Sequence, residues 1–291
     1  MASRTSRNSS KSTERDAEPF DPHPRHSPDA YALSAFFRFE GDVGQANAAI
    51  DKLRHFFHAN GSPRELLYAD VIGAVCALKL RNAARTILPP ASGLDMELWR
   101  PALAKPRFPI ELWPAQQRIA NAGVLEGRSA VIQMPTSAGK TRATELIIRS
   151  AFLSRRARLA VIVAPYRSLC HDIRGDLVTA FNGEDIRLDE ASDSYQFDLI
   201  LDALFAVDSV LIVTPEKLLY MLRRAPDLAE RIGLVIYDEG HQFDGMTRGP
   251  TYELLLSKHP LSAAVRLLFA VRGLPSTPRA GVRAGGFEGC R

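Results

Sequence analysis

The sequence predicts an α/β fold, a parallel sheet with helices on both faces, preceded by a small helical region and a disordered N-terminal tail. Two observations predict it. From about Pro109 onward, short β-branched runs alternate with amphipathic stretches, the pattern of strand–helix–strand units. Two of those runs, Ala160-Val161-Ile162-Val163 and Val210-Leu211-Ile212-Val213, are apolar at every position. A strand covered on both faces must be apolar throughout, whereas one that faces water on one side alternates.

Taken in order, residues 1–28 mix serines, prolines and charges of both signs with almost nothing to bury, and predict a disordered tail. Residues 29–105 predict a helical accessory region. Ala46, Ile50, Leu53 and Phe57 recur at helical spacing, and a second helix starts near Ser62-Pro63 and is expected to end at Pro89-Pro90. His55 and His58 belong on a partly exposed helix face and not in a metal site. Residues 106–260 carry the sheet, with strands at 130–133, 159–164, 209–214 and 234–237 and helices at 140–154, 168–181, 215–224 and 249–256. Residues 261–291 are rich in Gly, Arg, Ala and Pro and predict a disordered tail with too little apolar content for another strand.

Bulk composition narrows the class. Hydrophobic residues make up 46% of the 291, enough for a buried core, and 24% charged is ordinary for a soluble chain. The sequence holds no run of eighteen apolar residues and no secretory leader, so no membrane association is expected. Three cysteines, Cys76, Cys170 and Cys290, lack metal-like spacing and fit a reduced, cytoplasmic protein. A net charge of +4 is compatible with a polyanionic partner.

The first chemical motif is the segment Met134-Pro135-Thr136-Ser137-Ala138-Gly139-Lys140-Thr141, between a strand and a helix. Such a loop turns backbone N–H groups toward one point, and the helix dipole favours an anion there. Small residues at Ser137, Ala138 and Gly139 allow phosphate to approach closely. Lys140 can then reach the β- and γ-phosphates of ATP, and the Thr141 hydroxyl can ligate Mg2+. The usual pattern has glycine where Met134 stands.

A carboxylate partner follows downstream, where the strand Leu234-Val235-Ile236-Tyr237 delivers Asp238 and Glu239 to its C-terminal end. Ligands of open α/β sheets sit at that edge. Asp238 can hold Mg2+ and Glu239 can orient and deprotonate an attacking water. Standing alone, the pair would read as exposed acids in a strand-end turn.

With Pro135 to Thr141 and Asp238 to His241 in hand, the chain resembles superfamily 2 helicases of the DExH form, and Pro-Thr-Ser-Ala-Gly-Lys-Thr most resembles the Ski-like branch. Three further segments match in order. They are Trp113-Pro114-Ala115-Gln116, Ala164-Pro165-Tyr166-Arg167-Ser168-Leu169 and Thr214-Pro215-Glu216-Lys217-Leu218. The resemblance implies a RecA-like ATP-binding domain in which Gln116 reads the adenine edge. It further implies that Pro165 and Arg167, with Thr214, Pro215 and Lys217, touch the sugar-phosphate backbone of single-stranded DNA or RNA, and that His241 couples hydrolysis to movement. Hydroxyls, cations and N–H groups at loop–helix junctions suit backbone contacts, although Thr-Pro-Glu also suits a plain helix N-cap.

Helicases of this kind use two RecA-like domains, and the second supplies transition-state arginines. Residues 261–291 leave no room for one, nor for the Ser-Ala-Thr strand expected after the DExH motif. The reading is therefore the ATP-binding half of a motor, C-terminally truncated or altered in frame and weak or inactive alone. The second domain or a partner protein would be supplied elsewhere. The alternative is a non-enzymatic ATP- and nucleic-acid-binding module. A phosphate-loop kinase would need an acceptor site and lid arginines that the sequence does not display.

Overall fold

The computed structural model describes residues 28–135, 138–191, 206–240, 250–251 and 254–255, and the backbone of 265–270 and 281–284. The predicted N-terminal tail up to residue 27, most of the helix expected over 249–256, and residues 271–280 and 285–291 lie outside the described residues. The chain divides into two compact units, one ending at Gly73 and one beginning at Ala74.

The first unit holds α1 (Pro28–Phe37), α2 (Val43–Asn60) and the start of α3 (Pro63–Asn82). Asp42 caps α2, its carboxylate accepting the Gln45 N–H at 2.8 Å. Ala46, Ala49 and Ile50 form the buried face of α2. The Glu65 carboxylate accepts the Ser62 N–H at 2.8 Å and the Ser62 hydroxyl at 2.7 Å, closing a capping box where Ser62-Pro63 predicts a helix start.

The second unit corrects the expected end of that helix. α3 stops at Asn82, not at Pro89-Pro90, because the backbone leaves to pair with residues 110–112: the Leu112 N–H donates to Asn82 O at 2.9 Å and the Ala84 N–H to Ile110 O at 2.8 Å. Helix α4 (Ala84–Ser92) then runs through both prolines and closes on Gly93, whose φ of 66° is left-handed. Helix α5 (Met96–Leu103) buries Trp99 completely, with its indole N–H donating to Ser92 Oγ at 2.9 Å. The division at Gly73 places these two helices with the sheet, short of the boundary expected at 105.

After α6 (Pro114–Asn121) come β1 (Ala130–Gln133), α7 (Lys140–Leu153), β2 (Leu159–Val163), α8 (Arg167–Ala180), β3 (Ile186–Glu190) and β4 (Asp208–Val213). α9 (Pro215–Arg224), α10 (Leu228–Arg231), β5 (Ile232–Tyr237), β6 (Val265–Ala270) and β7 (Gly281–Ala284) complete the described order. The sheet runs β3-β4-β2-β5-β6-β1-β7, parallel except for β7 against β1. All of β2 and the last five residues of β4 are buried, as continuous apolar runs demand.

β6 corrects the reading of the C-terminal segment. Val265–Ala270 is a central strand, hydrogen-bonded to β5 on one side and β1 on the other. A strand enclosed by neighbours needs only a short apolar run, and Leu267-Leu268-Phe269 is one; the Gly- and Arg-rich residues after it mask that run when the segment is judged as a whole.

Parallel pairing sends the ends of β1, β2, β4 and β5 to one edge of the sheet. The ladder aligns Val163 with Val213 and with Tyr237, so Ala164, Thr214 and Asp238 leave side by side. The Asp238 N–H donates to Val163 O at 2.8 Å and the Ala164 N–H to Val213 O at 2.9 Å. Behind that edge α7 is fixed by a buried ionic cluster. Arg149, 3% exposed, holds Glu145 at 2.9 Å, Glu184 at 2.6 Å and Ala180 O at 2.9 Å, and lies 4.4 Å from the Phe181 ring centroid. Lys105 joins the cluster at Glu184 and donates to Asn182 O at 2.8 Å.

Candidate functional site

The loop after β1 reaches α7 through Gly139, whose φ of 81° is left-handed. A side chain there would be strained by that backbone, and its Cβ would meet Gln116 Nε2 at 2.7 Å, so the Gln116 amide would have to shift. The Ala138 N–H donates to Pro135 O at 3.1 Å, tightening the turn. Met134, standing where the usual pattern has glycine, is 3% exposed and belongs to the buried hydrophobic core. Thr136 and Ser137 lie outside the described residues.

Lys140 and Thr141 open α7, where free N–H groups and the helix dipole favour an anion. Lys140 Nζ is paired with Asp238 Oδ1 and with Glu239 Oε1, the latter at 2.7 Å. The two motifs thus meet at one point. Asp238 is 5% exposed. Burial holds its carboxyl above the usual carboxylate range, and Lys140 beside it offsets only part of that push. Glu239 adopts φ of 52°, a left-handed conformation costly for a side chain of its size and of the kind that clusters at active sites.

These groups line a cavity of about 420 Å³ with Trp113, Gly139, Thr141, Asp172 and Asp176. That volume is within the usual range for small-molecule sites, roughly 300–1,000 Å³. Gln116 is buried, its Oε1 accepting the Trp113 N–H at 2.9 Å and its amide nitrogen facing Gly139. Thr141 shares the cavity with Asp238, but its hydroxyl is engaged elsewhere, donating to Asp176 Oδ2 at 3.2 Å. Among the described residues no group of three or more His, Cys, Asp or Glu side chains is arranged to hold a metal. Two protein ligands completed by phosphate oxygens and water are the ordinary environment of Mg2+. The buried Asp238 carboxyl and the glycine cradle fit such a group.

Pro165 and Arg167 on the β2–α8 junction, and Thr214, Pro215 and Lys217 on the β4–α9 junction, emerge beside this cavity on the same sheet edge. Arg167 is exposed, Lys217 half-buried and Pro165 and Pro215 buried. Thr214 caps α9, its hydroxyl accepting the Lys217 N–H at 3.4 Å, so the N-cap reading of Thr-Pro-Glu holds in the structure. His241 lies outside the described residues. Sequence reasoning missed Asp172 and Asp176, one helical turn apart on α8; the only signal was that i, i+4 spacing.

Fold and site together define a phosphate-loop nucleotide-binding domain of the α/β type. The sequence pattern of the DEAD/DEAH box helicase family matches residues 113–270, more than half of the chain, and the chain belongs to that family. It is 34% identical over 148 residues to Hachiman protein HamB of Bacillus cereus, covering 51% of this chain and 13% of that one. It is 29% identical over 163 residues to the ATP-dependent DNA helicase Hel308 of Thermococcus kodakarensis, covering 56% and 14%. A hypothetical ATP-dependent RNA helicase from Sulfolobus tokodaii superposes with a TM-score of 0.47 at 18% identity, covering 62% of this chain and 51% of that one. The chain thus spans about one-seventh of the length of the two curated relatives. Among the described residues no helix is long and apolar enough to cross a membrane.

Proposed function

We propose that this chain is the ATP-binding half of a DExH-type helicase or translocase that couples ATP hydrolysis to movement along a single nucleic-acid strand. The observation that carries the reading is the convergence of Lys140 on Asp238 and Glu239, at the edge where the Arg167 and Thr214–Lys217 junctions also emerge. In this reading Pro135 to Gly139 wrap the phosphates of ATP, Lys140 neutralises them, and Gln116 reads the adenine. Thr141 and Asp238 hold Mg2+, which supplies charge neutralisation at the phosphates. Glu239 orients and deprotonates the attacking water. Arg167, Thr214 and Lys217 hold the strand by its backbone, the buried Pro165 and Pro215 fix the two junctions that present them, and His241 couples the two events. The Pro-Thr-Ser-Ala-Gly-Lys-Thr sequence supports the Ski-like branch. The Hel308 relatives, named as DNA helicases, favour DNA over RNA. Sparse cysteines, with Cys76 and Cys170 both free, favour the cytoplasm.

The test is phosphate release with and without single-stranded DNA or RNA, in the chain alone and with a second RecA-like domain supplied. Strand-stimulated turnover lost in Lys140→Ala and Glu239→Gln supports the motor. Nucleotide binding without turnover under every condition supports the non-enzymatic module instead. Absence of nucleotide binding sinks both.

A further inference from the structure

Thr141 has one proton and two lone pairs to offer, and its proton is already committed to Asp176 Oδ2 at 3.2 Å. The acceptor comes from a different element, α8, and is exposed, so nothing in core packing requires a carboxylate there. Both residues line the cavity that holds Lys140 and Asp238. A hydroxyl free to rotate can aim its hydrogen at a cation and repel it. With the hydrogen drawn to α8, the lone pairs are what remains for the cavity. Groups that orient a metal's ligands commonly change its affinity by about 10–100-fold when removed.

We propose that Asp176 is a positioning residue for the divalent cation of the nucleotide complex, acting through the Thr141 hydroxyl and not as a ligand. The inference rests on the nucleotide reading above. It differs from a simple electrostatic role, in which any carboxylate near the site would draw a cation whether or not Thr141 is present.

The test is titration of the full chain with a fluorescent ADP analogue, in excess MgCl2 and in excess EDTA. The quantity read is the ratio of the two dissociation constants. Asp176→Ala is expected to cut the Mg2+ advantage by about 10-fold by weakening binding in MgCl2, while binding in EDTA is no weaker, since a negative charge has left the cavity. Asp176→Asn, which keeps an acceptor oxygen, should restore part of it. In a Thr141→Ala background Asp176→Ala should change nothing further. Thermal melts of the variants should match, since Asp176 is exposed. An equal loss from Asp176→Ala with or without Thr141 overturns the positioning role in favour of bare charge, and an unchanged ratio overturns it outright. If the unsubstituted chain binds the analogue equally well in MgCl2 and EDTA, this inference falls while the nucleotide reading stands. If it does not bind the analogue at all, both fall.

Discussion

Lys140 Nζ lies 2.7 Å from Glu239 Oε1 and is also paired with Asp238, so two carboxylates hold the cation that the nucleotide reading assigns to phosphate. Incoming phosphates must take Lys140 from Glu239 and must approach the charge of Glu239 itself. Both effects oppose binding. Glu239→Gln should therefore tighten ATP binding, by about 3- to 10-fold at moderate salt, while lowering turnover by about 10²–10⁴-fold through loss of the base. Lys140→Ala should weaken binding instead. Calorimetric titration of the three proteins checks the pair, and weaker binding by Glu239→Gln would contradict the competition.

Asp238 carries a stability cost that the proposed Mg2+ role would account for. Its carboxyl is held above the usual range chiefly by burial, so it gives up its proton less readily in the folded than in the unfolded chain. The sign follows by linkage: the folded state is favoured most below the ordinary carboxylate pKa and loses stability as pH rises through the raised folded value. Asp238→Asn removes that loss, and Lys140 keeps Glu239 as a partner. Without nucleotide, the variant should be more stable than the unsubstituted chain at pH 7, and the gain should fade toward pH 4. Denaturant melts at the two pH values measure it. A variant less stable at pH 7 would show that Lys140 outweighs burial.

Cys170 should be chemically silent. It is 2% exposed, and burial pushes its thiol up to about 11. At pH 7 that leaves on the order of one thiolate in 10⁴ molecules. In native protein iodoacetamide should label the half-buried Cys76 and spare Cys170, which should react only on unfolding. The unfolded chain ionises its thiol first, so Cys170 costs stability only as pH rises from the ordinary thiol range toward 11. Peptide mapping after timed labelling decides, and equal labelling of both thiols at pH 7 would refute this account.

What was legible in the sequence divides along physical lines. Parallel strands deliver their C-terminal ends to one edge whatever lies between them, so the meeting of Lys140 with Asp238 and Glu239 could be read from two strand-end motifs. The strand at Val265–Ala270 was missed because its apolar run was averaged with the Gly- and Arg-rich residues that follow. The break at Ala83 was missed because it depends on pairing with residues 110–112, a contact no local pattern encodes. Asp176 was invisible for a similar reason: its meeting with Thr141 depends on how α8 packs against α7. Met134 showed the departure from pattern but not its outcome, the burial of the side chain.

The cluster behind α7 predicts where the unit is most sensitive to substitution. Arg149 is 3% exposed and satisfies Glu145, also buried, together with Glu184 and Ala180 O, while its guanidinium covers Phe181. Desolvating these charges is costly, so the intact cluster contributes little net stability, but removing Arg149 leaves the buried Glu145 with Arg142 as its ion-pair partner and Glu184 with Lys105, each short of the guanidinium that joined them. Arg149→Ala should therefore destabilise the unit by about 2–4 kcal/mol, toward the low end of the cost of an uncompensated buried charge. Arg149→Met with Glu145→Leu and Glu184→Leu, which removes the buried charge and both of its carboxylate partners and leaves the more exposed Arg142 and Lys105 to water, should recover part of that loss. The end of α7 that carries Lys140 lies more than two turns away, so the triple variant should keep nucleotide affinity within about 3-fold. Denaturant unfolding of the single and triple variants measures the first two effects, and nucleotide titration the third. A loss below about 1 kcal/mol in Arg149→Ala would mean that water reaches the cluster, and a triple variant no more stable than the single one would mean that the charges themselves, and not their mutual compensation, hold α7 in place.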